Sequence, residues 1–215
     1  MQLRAWLVDS EPEVWRRLVV DPRLTLEQLH TVLQHAFGWT NSHMHQFHEK
    51  DGTCYARSAP RWFDLGFGTD KPTIDERKVL LADVFDRPKK TIAYEYDFGD
   101  SWVHVVRFEK MVESQALEYP GETFITKGQG VFSGKERAAI CLAGARNGPP
   151  EDCGGLYGYQ HILELKSEPP HPTANKDADG RELLEWLGDW DPDCFDLAEV
   201  NQLLGRVRVK KAHKG

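Results

Sequence analysis

Apolar positions along the chain follow two periods, the alternation of strands and the three-to-four spacing of helices. The runs LRAWLV and EVWRRLVV are short, rich in Val, Leu and Trp, and separated by DSEP, whose Asp, Ser and Pro form turns. They predict two paired antiparallel strands. In LTLEQLHTVLQHAFGW the residues Leu26, Leu29, Val32, Leu33, Ala36 and Phe37 recur at helical spacing. Thr25 is placed to cap this helix, with Gln28 three residues on as in a capping box, and Gly38 is placed to end it. HMHQFHEKDGTCYARS alternates, turns at Asp51 and Gly52, and resumes, which predicts a second hairpin. TIAYEYDFGDSWVHVVRFEK predicts a third and central one: Ile92, Tyr94, Tyr96 and Phe98 share one face before the turn, and Trp102, His104, Val106 and Phe108 share one after it.

Residues 58–78 show no sustained period and are expected to be loop, followed by VLLADVF as a short strand or helical turn. From 111 to 156 periodicity weakens, and GARNGPPEDCGGLYGY reads as a long, ordered loop. Three helices are expected beyond it: around Tyr159, Ile162, Leu163 and Leu165, in GRELLEWLGDW, and in DLAEVNQLLG, which Asp196 can cap and Gly205 can end. The pattern predicts one α+β domain over 1–215, an antiparallel sheet built from hairpins with helices packed against it. A linker near 167–180 and a flexible basic tail over 206–215 complete the expectation.

Composition narrows the partners. With 215 residues, 40% hydrophobic and 28% charged, the chain can bury one sizeable core. Its net charge of -7 disfavours general electrostatic DNA binding, which draws on Lys and Arg. Local basic candidates are the terminal GRVRVKKAHKG and the pair Arg16 and Arg17. There is no apolar run of membrane-spanning length and no apolar secretion signal, so a cytoplasmic protein is expected. Cys54, Cys141, Cys153 and Cys194 are too scattered for a disulfide scaffold, and reduced thiols are expected.

Four motifs stand in a specific order: VWRRLVV with LTLEQLHTVLQHAFGWTNSHMHQF, then YEYDFGDSWVHVV, then CLAGARNGPPEDCGGLYGY. In this order they resemble the plasmid pRiA4b ORF-3-like family, whose members also occur as passenger proteins of insertion sequences. The similarity runs from about Leu3 to the last predicted helix near Asn201. It implies a mixed α+β fold and an intracellular accessory role beside mobile elements, and it implies no particular reaction. Where similar proteins often carry a third cysteine before PPED, this chain has Asn147, which removes a thiol from any three-cysteine metal site.

The candidate chemistry lies in three places. Asp97 and Asp100 bracket Phe98 and Gly99, where carboxylates commonly serve the turn itself; beside His104, either one is also a candidate general base or metal ligand. His43 and His45, two apart on a strand, can present two imidazoles to one metal. In PPEDCGG, prolines and glycines hold Glu151 and Asp152 in a defined direction, for capping a helix or for binding. Cys141 and Cys153 are further metal candidates, although their spacing is not that of a zinc knuckle. No phosphate-cradling loop, nucleophile elbow or compact metal motif is present. The leading expectation is therefore a binding module for a protein or nucleic-acid partner, with no cofactor. The alternative is a metal-assisted hydrolase in which His43, His45, Asp97, Asp100 and His104 hold a divalent metal such as zinc. The two separate on whether SHMHQFH, YDFGDSWVH and PPEDCGG meet in one pocket.

Overall fold

A computed structural model describes residues 1–57, 72–112, 116–119, 122–125, 138–167 and 178–209. The sheet begins with β1 (Gln2–Leu7) and β2 (Trp15–Val20), paired antiparallel as the alternation predicts. Helix α1 (Leu26–Phe37) follows, and its Thr25–Gln28 capping box forms in both directions. Then come β3 (His45–His48), β4 (Cys54–Ala56), β5 (Ile74–Asp75), the short helix α2 (Leu81–Val84), β6 (Thr91–Tyr96) and β7 (Trp102–Lys110). β8 (Ala116–Tyr119) and β9 (Glu122–Ile125) make a separate two-stranded sheet. The chain continues through β10 (Ala139–Ala145), α3 (Gly155–Ser167), α4 (Ala178–Leu187) and α5 (Leu197–Leu204), the last capped by the Asp196 carboxylate on the N–H groups of Ala198 and Glu199.

Eight strands form the main sheet in the order β10-β2-β1-β7-β6-β3-β4-β5. All three expected hairpins are in it, and every pairing is antiparallel except β4 with β5, which is parallel, so the architecture is α+β with a mixed sheet. The β5 segment lies within 58–78, expected to be loop; residues 58–71 and 168–177 fall outside the described residues. β8, β9 and β10 all lie within 111–156, where no regular element is expected. The AICLAGA of β10 is short and small-residued with no alternation, and it becomes a strand through tertiary pairing with β2. Its outer edge is closed by Asn201 of α5, whose amide accepts from Cys141 N–H (2.8 Å) and donates to Cys141 C=O (2.9 Å). The backbone groups of Cys141 are thereby withheld from pairing with another strand.

One face of the sheet builds the core. Leu3, Ala5 and Leu7 of β1, Leu18 and Val20 of β2, Ile92, Tyr94 and Tyr96 of β6, and Trp102, Val106 and Phe108 of β7 are all buried, with α1 laid over them. The other face carries charge, including the Arg17–Glu109 ion pair (2.9 Å). Alternation thus separates the two arginines considered for a basic face. Arg17 is on the solvent side, while Arg16 is buried, its Nε donating to Ala36 C=O (2.6 Å) and NH1 to Trp15 C=O (2.8 Å) and Ala145 C=O (2.9 Å). At the other end of the chain, Val207 is buried and Gln28 donates to Arg208 C=O (2.6 Å), so the chain stays docked on α1 at the start of the basic segment.

Two buried histidines make the fold acid-sensitive. His104 is fully buried against Phe37, and burial lowers its pKa from 6.5 to about 4; burial first, then the charge of His45, lowers that of His30 to about 3. Between pH 6.5 and about 4 the unfolded chain binds protons at these positions that the folded one does not, so stability falls as pH falls through that window. His104 alone contributes a loss on the order of 3 kcal/mol. Urea midpoints measured near neutrality and near the bottom of this window should fall accordingly; a midpoint that holds constant contradicts the buried neutral state.

Candidate metal centre

The turn between β6 and β7 and the segment entering β3 lie at the same end of the sheet, because His45 pairs with Tyr96 and Asp97 N–H donates to Met44 C=O (2.9 Å). This register sets His43 beside Asp97. Asp97 sits at φ +56°, and its Oδ1 accepts from Gly99 N–H (2.9 Å), so the expected turn chemistry is present. Its Oδ2 remains and lies 3.6 Å from His43 Nε2.

PPEDCGG is brought to the same place by two close approaches. Gly148 passes so near the end of α1 that a Cβ there would lie 1.9 Å from Phe37 C=O. Gly155, at φ +66°, would carry a Cβ 2.6 Å from Asp100 C=O, and Gly154 N–H donates to Asp100 Oδ2 (3.2 Å). Asp100 is therefore the clamp that holds this loop on the turn. Glu151 Oε1 accepts from Thr40 N–H (2.7 Å), Thr40 Oγ1–H (2.9 Å) and the Tyr96 hydroxyl (3.0 Å), while Tyr96 Oη accepts from Ser42 N–H (3.0 Å). Burial, with the Glu151 charge adding to it, pushes the Tyr96 phenol up to about 12, so it stays a donor.

The result is a histidine facing three carboxylates. His43 Nε2 is 3.1 Å from Asp152 Oδ1, 3.6 Å from Glu151 Oε2 and 3.6 Å from Asp97 Oδ2. None of these approaches has hydrogen-bond geometry, although the nitrogen is buried. Two ligands about 2.1 Å from one ion at 90–109° lie about 3.0–3.5 Å apart; the His43–Asp152 distance falls in that range, and the two 3.6 Å distances lie just beyond it. Ligand atoms of His43, Asp97 and Asp152 all fall within 4.8 Å of one another. Asp97 is 9% exposed and Asp152 71%, so the cluster is walled on one side and open on the other. Trp39 and Tyr96 (5.3 Å between ring centroids) and Trp39 and Trp102 (5.4 Å) form an aromatic layer beside it.

The other sequence candidates lie elsewhere. His45 turns away from His43 to pair with Glu76 (2.9 Å). His104 is under α1, with its Nδ1 3.1 Å from Trp102 C=O. Cys141 lies beneath α5 beside Arg16, its thiol directed at Ala143 C=O and pushed up to about 11 by burial. Cys153 is in the right loop, but burial and then the Asp100 charge push its thiol up to about 12, keeping it protonated. Thr40, Ser42 and Tyr96 are the supporting residues that sequence reasoning passed over; a Tyr alternating into the core gives no sign of carrying a polar tip to a loop.

An α+β protein with a one-sided sheet and a histidine–carboxylate cluster at one end of its central hairpin is the class that fold and geometry define. The chain belongs to the plasmid pRiA4b ORF-3-like protein family, whose profile matches residues 1–132 and 125–199. It is 33% identical over 223 residues to the uncharacterized protein y4hQ of Sinorhizobium fredii (strain NBRC 101917 / NGR234), covering 100% of this chain and 95% of that one. The crystal structure of MM3350 from Methanosarcina mazei Go1, a protein of unknown function, is similar with a TM-score of 0.66 and 28% identity over 92% of this chain and 94% of that one.

Proposed function

We propose that the protein binds one divalent cation between His43, Asp97 and Asp152, with Glu151 as the adjoining carboxylate, and uses it in metal-assisted hydrolysis. The observation that carries this reading is the meeting of three separate motifs around His43 Nε2, with carboxylate oxygens 3.1–3.6 Å from it and no hydrogen-bond geometry. One imidazole with carboxylates suits Mn2+ or Zn2+ better than a thiolate-seeking ion. An ion held there would lower the pKa of its water and polarise a substrate oxygen. Glu151, with Oε1 held by Thr40 and Tyr96, keeps Oε2 directed at the cluster and can take the water's proton. Asp152 lies on the open side, where a substrate enters.

A second reading is supported by Tyr157, five residues beyond Asp152 and 89% exposed. An aromatic ring this exposed suits recognition of a protein or nucleic-acid partner, in keeping with an accessory role. Among the described residues no helix is long and apolar enough to cross a membrane.

Chelator-stripped protein should gain about 5–10 °C in Tm on adding Mn2+ or Zn2+ at roughly a hundredfold over Kd, and His43→Ala should gain none. The hydrolytic step is read from activated phosphate and carboxylate esters, with turnover by reloaded wild type and none by His43→Ala. Equal responses from the two proteins overturn the proposal.

A further inference from the structure

Side chains alternate across the sheet, so strand register sets the residues of its solvent side in rows. Arg17 of β2 lies opposite Arg4 of β1, and Arg4 lies opposite Arg107 of β7. The neighbouring row is Trp15 of β2, Trp6 of β1 and Val105 of β7, all half-buried and none of them part of the core beneath. Three guanidinium groups thus stand side by side along an apolar stripe that holds two indoles. The rows also touch. The Arg4 guanidinium carbon lies 5.3 Å from the ring centroids of both Trp6 and Trp15, and that of Arg17 lies 5.6 Å from Trp15.

Like charges directly opposite one another destabilise a sheet, and here they are offset only in part. Glu13 pairs with Arg4 and Glu109 with Arg17, as partly exposed ion pairs of the kind that contribute little to stability. Arg107 is exposed and makes no ion pair among the described residues. We propose that this face binds single-stranded nucleic acid, with Trp6 and Trp15 stacking bases and Arg4, Arg17 and Arg107 holding phosphates. Arginine forks match phosphate oxygens in bidentate fashion, and guanidinium charge needs no proton uptake to act. A broad sheet face does not fit a duplex groove, whereas an indole accepts the flat face of any unpaired base. An acidic peptide would satisfy the arginines and leave the indoles without a planar partner. The net charge of -7 confines the attraction to this row. None of these residues belongs to the cluster at His43, so the proposal does not depend on a cation there.

Fluorescence anisotropy of a labelled oligothymidylate of about ten nucleotides, titrated with the full chain, tests this. Saturable binding is expected, indifferent to chelator and falling with salt at a log–log slope of about −2, as three phosphate contacts on a single strand require. Arg107→Ala should weaken it about three- to tenfold and reduce the slope by about 0.7, while Trp6→Leu should weaken it about tenfold at unchanged slope. Arg107 is exposed, so its variant tests the face without disturbing the core. Equal affinity in wild type and Arg107→Ala, or duplex bound as tightly as the single strand, overturns the proposal. So does equal competition by polyglutamate, which would give the face to an acidic peptide, or self-association lost in Trp6→Leu, which would give it to a second copy of this chain.

Discussion

Arg16→Ala is expected to lower the unfolding free energy by about 3–5 kcal/mol. The side chain joins three parts of the fold, binding the carbonyl of Ala36 near the end of α1, Trp15 in β2 and Ala145 in β10. It is layered between the rings of Phe37 and Phe195, with its guanidinium carbon 5.0 and 4.3 Å from their centroids. Among the described residues no carboxylate pairs with it, and burial lowers its pKa to about 10, so the charge is held by carbonyl dipoles, including those at a helix carboxy-terminus. Alanine leaves a cavity and unsatisfied carbonyls together. Arg16→Met, which fills the space, should recover part of the loss. Urea denaturation measures both, and a loss under about 1 kcal/mol for Arg16→Ala contradicts the role given to it.

Asp97→Asn should weaken divalent-cation binding by about 100-fold or more while leaving the Tm of the stripped protein nearly unchanged. The substitution separates the two roles of this residue. Asparagine keeps an Oδ1 to accept Gly99 N–H and tolerates the left-handed φ of +56°, so the turn survives. It replaces Oδ2, the oxygen near His43, by an amide and removes the charge. Calorimetric titration with Mn2+ or Zn2+ reads the affinity. A large fall in stability with unchanged affinity would place Asp97 in the turn alone.

The sequence made local structure legible where a single element carried its own signal. Thr25 and Gln28 announce a capping box and form one, and the strands on either side of Asp51–Gly52 and of DFGD pair as alternation requires. β10 was hidden because its small residues have weak strand preference and its partner, β2, lies more than a hundred residues earlier. The same limit applies to the cluster. His43, Asp97, Glu151 and Asp152 can each be named as candidates, but only the β3–β6 register and the seating of Gly148 and Gly155 bring them together. Glu76 gave no sign at all, since its segment has no period and its importance comes from burial against His45.

Cation binding at His43 decides between the two functions. Equilibrium dialysis against Mn2+ or Zn2+, with ions counted by elemental analysis, should find one ion per chain in the wild-type protein and none in Asp97→Asn. Equal ion content in the two proteins, or none in the wild type, contradicts a metal centre at His43, Asp97 and Asp152.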